Sequence, residues 1–73
     1  MNKVEFTKVL DDFYITYYKE TKDCTEFKFN NVTFWVTYFG DNLCIANDND
    51  WDAFDIIENH SELAEHILQF AFN

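Results

Sequence analysis

The amino-acid sequence predicts an α+β fold: a small two-layer α–β–β–β–α(α) domain with helices on one face of a three-stranded antiparallel meander. Three observations carry that expectation. An amphipathic helical stripe opens the chain, strand-like alternation fills its middle, and a helical wheel partitions its last third into an apolar and an acidic half. Each element then has one apolar side to bury, and a two-layer stack buries all of them.

The first helix is expected over residues 3–20. Phe6, Val9, Leu10, Phe13 and Tyr17 recur at helical spacing, with Glu5, Lys8, Asp12 and Lys19 on the opposite side. The run "FYITYY" is β-branched and aromatic, so a helix ending near Asp12 with a strand after it is the alternative. The stripe's continuation through Tyr17 favours the helix.

Strands are expected over 25–30, 32–39 and 42–47. Asn30–Asn31 suits a two-residue type I′ turn, and Gly40–Asp41 marks the second reversal. Those turns pair Phe29 with Val32, Phe27 with Phe34, Tyr38 with Leu43 and Val36 with Ile45. All of them then share one face, as the two-residue period of a strand requires. The other face holds Glu26, Lys28, Thr33, Trp35, Thr37, Phe39, Cys44 and Ala46. It is either an open face with scattered aromatics or a contact patch centred on Trp35 and Phe39.

The C-terminal third, about 50–71, reads as one helix or two nearly collinear ones broken near 59–61. Ala53, Ile56, Ile57, Leu63, Ala64, Ile67, Leu68 and Ala71 fill one half of the wheel; Asp52, Asp55, Glu58, Glu62 and Glu65 fill most of the other. Asn59 with Glu62 three residues later forms an internal capping box, and His60 falls on the apolar half.

Length, charge and cysteine content narrow the function classes. The chain has 73 residues, so its core must be dense, and fifteen aromatics supply it (Phe 9, Tyr 4, Trp 2). Abundant Phe, Asn, Ile, Lys and Tyr, all with AT-rich codons, suggest a low-GC bacterium or its phage. The start "MNKVEFTKVLDDF" carries an acidic pair by position 12 and no long apolar run, so a cytoplasmic protein without a membrane span is expected. All five lysines lie within residues 1–28, against six acids there. Residues 29–73 hold eight acids and no Lys or Arg, so the net charge of −9 divides into −1 and −8. Such a surface repels nucleic acid and anionic membranes and attracts basic proteins or cations.

The stretch "ANDNDWDAFD" (46–55) concentrates that charge. Asp48, Asp50 and Asp52 match the first ligand positions of a calcium loop, but Ala53 stands where that loop needs Gly and Asn59 where it needs a bidentate Glu. Only weak, adventitious calcium binding at 48–52 would follow. As a helix start, Asp48, Asn49 or Asp50 would cap and Asp52 would complement the dipole. Cys24, Cys44, His60 and His66 lack zinc-ligand spacing, and no motif pairs a nucleophile with a base. No enzyme, metal or cofactor is expected.

Taken with its size and element order, this acidity resembles the small phage-encoded inhibitors of host nucleic-acid enzymes. Anti-CRISPR proteins are the main example, with anti-restriction proteins and uracil-DNA glycosylase inhibitors sharing the strategy. The resemblance covers the whole chain but includes no shared motif, so no contact residue is carried over from it. It implies a non-enzymatic DNA mimic that occupies the basic nucleic-acid groove of a host defence or repair nuclease. The expected partner-binding residues are Asp48, Asp50, Trp51, Asp52, Asp55, Glu58, Glu62 and Glu65, with Trp51 as apolar anchor and no direct nucleic-acid or membrane binding. The alternative is an interaction or immunity-type module acting through Trp35 and Phe39. A homodimer is compatible with either.

Overall fold

The computed structural model describes residues 1–72. Helix α1 (Lys3–Asp12) leads into five strands: β1 (Tyr18–Glu20), β2 (Cys24–Phe29), β3 (Val32–Phe39), β4 (Asn42–Asn47) and β5 (Phe54–Ile57); helix α2 (His60–Ala71) ends the chain. The strands form one antiparallel sheet in chain order, β1-β2-β3-β4-β5. The α+β class holds, with five strands where the sequence suggested three.

The hairpin registers match the sequence expectation: Phe29 pairs with Val32, Phe27 with Phe34, Tyr38 with Leu43 and Val36 with Ile45. Asn30 and Asn31 both take positive φ (52° and 66°), as a type I′ turn requires, and Gly40 takes φ 57° at the second reversal. On the inner face Phe27, Phe34, Val36, Leu43, Ile45 and Ile57 join Phe6, Val9 and Leu10 of α1 and Leu63, Ile67 and Phe70 of α2 in one core. Phe27 and Phe34 stack at 5.1 Å, and Phe6 packs against Phe27 and Tyr38.

Two helical expectations are corrected. The first helix stops at Asp12, not residue 20. Tyr14 turns left-handed (φ 58°), Tyr14 N–H donates to the Asp11 carbonyl and Ile15 N–H to that of Leu10. This is a Schellman ending, and it sends Ile15 into the core while Tyr18–Glu20 pairs with β2. Phe6, Val9, Leu10 and Phe13 are true helix-face positions or its cap; Tyr17 continues their phase by coincidence and is exposed. Tyr14 carries the backbone strain of a non-glycine αL residue while its side chain is 90% exposed. Tyr14→Gly is therefore expected to stabilise the fold by about 1 kcal/mol, measurable as a higher urea midpoint with an unchanged slope.

The second correction concerns 50–59. Residues 54–57 are strand β5, paired to β4 through Leu43–Ile57, Cys44–Ile56, Ile45–Asp55 and Ala46–Phe54. The helix begins only at His60, capped by Asn59, whose Oδ1 accepts the Glu62 N–H at 3.0 Å. Glu62 reaches back in return, one residue beyond the usual capping-box partner, accepting the Glu58 N–H at 3.1 Å and the Asn59 side-chain amide at 3.2 Å. The far end of α2 has no basic residue in its last turn. Its open carbonyls are instead met by two side-chain amides, Asn30 on Ala71 O (2.6 Å) and Asn49 on Phe70 O (2.8 Å).

Tyr38 and Thr25 share a hydroxyl hydrogen bond of 2.9 Å at the inner edge of the core. Burial holds the Tyr38 phenol above its ordinary value of 10.0, with the Thr25 bond opposing. The folded state thus keeps a proton that the unfolded chain loses near that pH. The contribution is intact below it and is lost as pH rises further. Urea melts from about pH 9 to 11 should show stability falling, and Tyr38→Phe should flatten that fall while costing roughly 1 kcal/mol at neutral pH.

Candidate functional site

Asn47 organises the acidic stretch. It is the last residue of β4, fully buried, and its Oδ1 accepts the N–H groups of Asn49 (3.0 Å) and Asp50 (2.8 Å). Asp50 repeats the device one step on, accepting the Asp52 N–H at 3.0 Å. Asp48 extends the β3–β4 ladder: its N–H donates to the Thr33 carbonyl and its carboxylate accepts the Thr33 N–H at 2.9 Å. The residues expected to cap a helix at 50 therefore build an Asx-turn loop between β4 and β5. Among the described residues, no group of three or more His, Cys, Asp or Glu is placed to hold a metal ion.

This loop turns Trp51 onto the outer face of the sheet, where it stacks on Trp35 with centroids 5.4 Å apart and planes at 22°. Trp35 Nε1–H donates to Glu26 Oε1 at 2.8 Å, which locks the lower ring of the pair. Trp51 remains 73% exposed; Phe54 (60%), Ile56 (59%) and Phe39 (59%) stand on the same face. The expected anchor of the acidic surface and the expected centre of the open sheet face thus meet in one aromatic pair. Ile56, expected on the apolar half of a helix, is instead exposed on this outer face beside Phe54, because a helical phase over 51–57 hides their alternation with Asp55 and Ile57.

Asp55 faces the other way. At the margin of the inner face its Oδ2 lies 2.5 Å from His66 Nδ1, while His66 Nε2 lies 3.2 Å from Asn47 Nδ2. The Asn47 oxygen already accepts two backbone N–H groups, so its nitrogen is the donor to Nε2. The proton on the ring therefore sits on Nδ1 and is donated to Asp55. His66 is fully enclosed, against Phe34 and Phe70, whereas the Asp55 side chain is half exposed. The buried histidine is His66; His60 is an exposed first-turn residue 3.4 Å from Asp12. Cys44 lies on the outer sheet face and His66 beneath the inner one, so they do not form a nucleophile–base pair.

The proposed contact residues fall into two groups. Asp48, Asp50, Trp51 and Asp52 belong to the loop at the outer face. Asp55, Glu62 and Glu65 line a groove of about 300 Å³ between β5 and α2, together with Ile56, Ile57, His66 and Gln69, and exposed Glu58 sits at the β5–α2 junction. The single helical acidic stripe is thus replaced by a wall assembled from strand edge, junction and helix.

No helix among the described residues is long and apolar enough to cross a membrane. No protein-family model, curated protein or solved structure matches the chain.

Proposed function

We propose that the protein is a non-enzymatic inhibitor that docks its acidic wall on the basic nucleic-acid-binding surface of a host nuclease or repair enzyme. It would act in the bacterial cytoplasm as a phage-encoded DNA mimic of the anti-CRISPR or anti-restriction kind. One observation carries the reading. Because the strand order equals the chain order, the charge segregation of the strands and their connecting loops becomes segregation across the sheet. All five lysines lie on α1, β1, β2 and the turn between those strands, while β4, β5, α2 and their loops carry carboxylates with no Lys or Arg.

A solvated face that only keeps a protein soluble ordinarily mixes both signs. A one-signed wall raises the local concentration of basic surfaces and competes with phosphates for them. Asp55, Glu58, Glu62 and Glu65 are the central contacts, with Asp48, Asp50 and Asp52 adding to the field at the rim.

The test is a pull-down from a low-GC bacterial lysate with the tagged protein as bait, challenged separately with excess duplex DNA and with rising salt. A nucleic-acid enzyme released by both treatments supports the reading. A sole partner indifferent to both sinks it, and moves the function to the Trp35–Trp51 face as an interaction or immunity-type module.

A further inference from the structure

The outer face of the sheet is laid out as a self-complementary surface. One row of neighbours crosses all five strands: Lys19, Glu26, Trp35, Ala46, Phe54. The row on one side of it runs Cys24, Thr37, Cys44, Ile56. The row on the other side starts with Lys28 on β2, passes Thr33 on β3 and ends with Asp48, which is hydrogen-bonded to Thr33. Lys19 and Lys28 therefore stand on the β1–β2 side, where the one carboxylate of these rows, Glu26, is held by Trp35. Asp48 stands on the β4–loop side, with the stacked Trp35 and Trp51 between them and Phe54 and Ile56 on the β5 edge.

We infer that this face binds a second copy of the chain in a two-fold dimer whose axis runs along β3. A two-fold axis lying in the interface exchanges left for right at constant height. It sets Lys28 of each copy against Asp48 of the other, and brings Phe39 and the Trp51 ring that covers Trp35 against their own counterparts. The stacked tryptophans then meet at the centre, Lys28 meets Asp48 beside them, and Phe54 on the edge strand covers the aliphatic stem of Lys19 in the other copy.

The size also suits a second copy. The molecule measures 29 × 25 × 23 Å. A rectangle on its two longer edges is about 700 Å², so contact over most of one face falls toward the lower end of standard interfaces, roughly 800 Å² a side. A uniformly basic partner would meet Lys28 as a like charge, whereas a second copy meets it with Asp48. This packing leaves the β5–α2 groove of both copies open, so it stands independently of the docking reading.

Sedimentation equilibrium on the purified full chain tests it, with circular dichroism to confirm that each variant folds. Wild type should associate to a dimer and no further. Trp51→Ala, at an exposed position, should weaken the dimer on the order of 30-fold, the loss typical of a central aromatic anchor. Lys28→Glu and Asp48→Lys should each weaken it about 10-fold, because either one places like charges together at both ends of the interface. Mixing those two variants should restore a heterodimer, since each altered residue then faces its opposite and the unaltered pair is kept. A monomeric wild type, association beyond the dimer, a dimer indifferent to Trp51→Ala, or a mixture no tighter than its parts would each overturn the inference.

Discussion

Asn47→Ala should lower stability by roughly 2–4 kcal/mol and free Trp51 from Trp35 in the same step. The side chain serves two structures at once. Its oxygen holds the Asn49 and Asp50 N–H groups that start the loop; its nitrogen donates to His66 Nε2 in a fully enclosed site. The loop N–H groups lie near solvent and can find water, so losing them is cheap for stability but not for loop shape. The His66 nitrogen cannot, and leaving it unpaired carries the larger penalty. A domain of this size has a total of roughly 4–11 kcal/mol, so the melting temperature should fall by tens of degrees at the upper end of the range. Asn47→Asp separates the two roles. It keeps the loop acceptor but loses the donor to His66, so the exciton-coupled circular dichroism of the tryptophan pair should persist while stability drops. If Asn47→Ala instead leaves that signal intact, the loop is held by something other than the Asx turn.

The same residue shows where the sequence was legible and where it was not. The hairpins β2–β3 and β3–β4 were readable in register because two-residue turns link alternating strands, and local geometry then leaves one pairing. Strand β5 was not readable, because nothing local makes Phe54–Ile57 a strand. Its conformation is set by pairing with β4 across the loop that Asn47 shapes, and four residues are too few to show a period of two against the strong helical phase of α2. Tyr18–Glu20 was legible as the alternative, a strand after a helix ending near Asp12, offered by the β-branched and aromatic run "FYITYY". The helical phase of Tyr17 outweighed it because three residues show too little alternation. The Asn59–Glu62 box was legible because capping is local. Among the site residues, the identity of the acids could be read but their grouping could not. Trp51 and Asp55 are four apart, a spacing that puts residues on one face of a helix, and the fold sends them to opposite faces of a sheet.

Glu58→Lys combined with Glu65→Lys should weaken the partner recovered by pull-down roughly 100-fold at low salt while leaving stability within about 0.5 kcal/mol. Both residues are exposed, and neither side chain makes a hydrogen bond or ion pair among the described residues, so the fold has nothing to lose there. Asp55 and Glu62 are poorer choices for reversal, because His66 and the α2 cap depend on them. Each reversal removes an attraction and adds a repulsion against a basic groove, and about 2.7 kcal/mol corresponds to the expected 100-fold. The dependence of log affinity on log salt should flatten as well, because fewer counterions are exchanged on docking. The decisive control changes net charge by the same amount elsewhere. Asp11→Lys with Asp23→Lys alters the lysine-bearing side of the molecule, where both signs already mix. If binding depends on the wall, that pair should cost only a few-fold through the long-range field, which salt screens beyond about 10 Å. Equal losses from the two pairs would mean that overall charge, not the β5–α2 surface, attracts the partner.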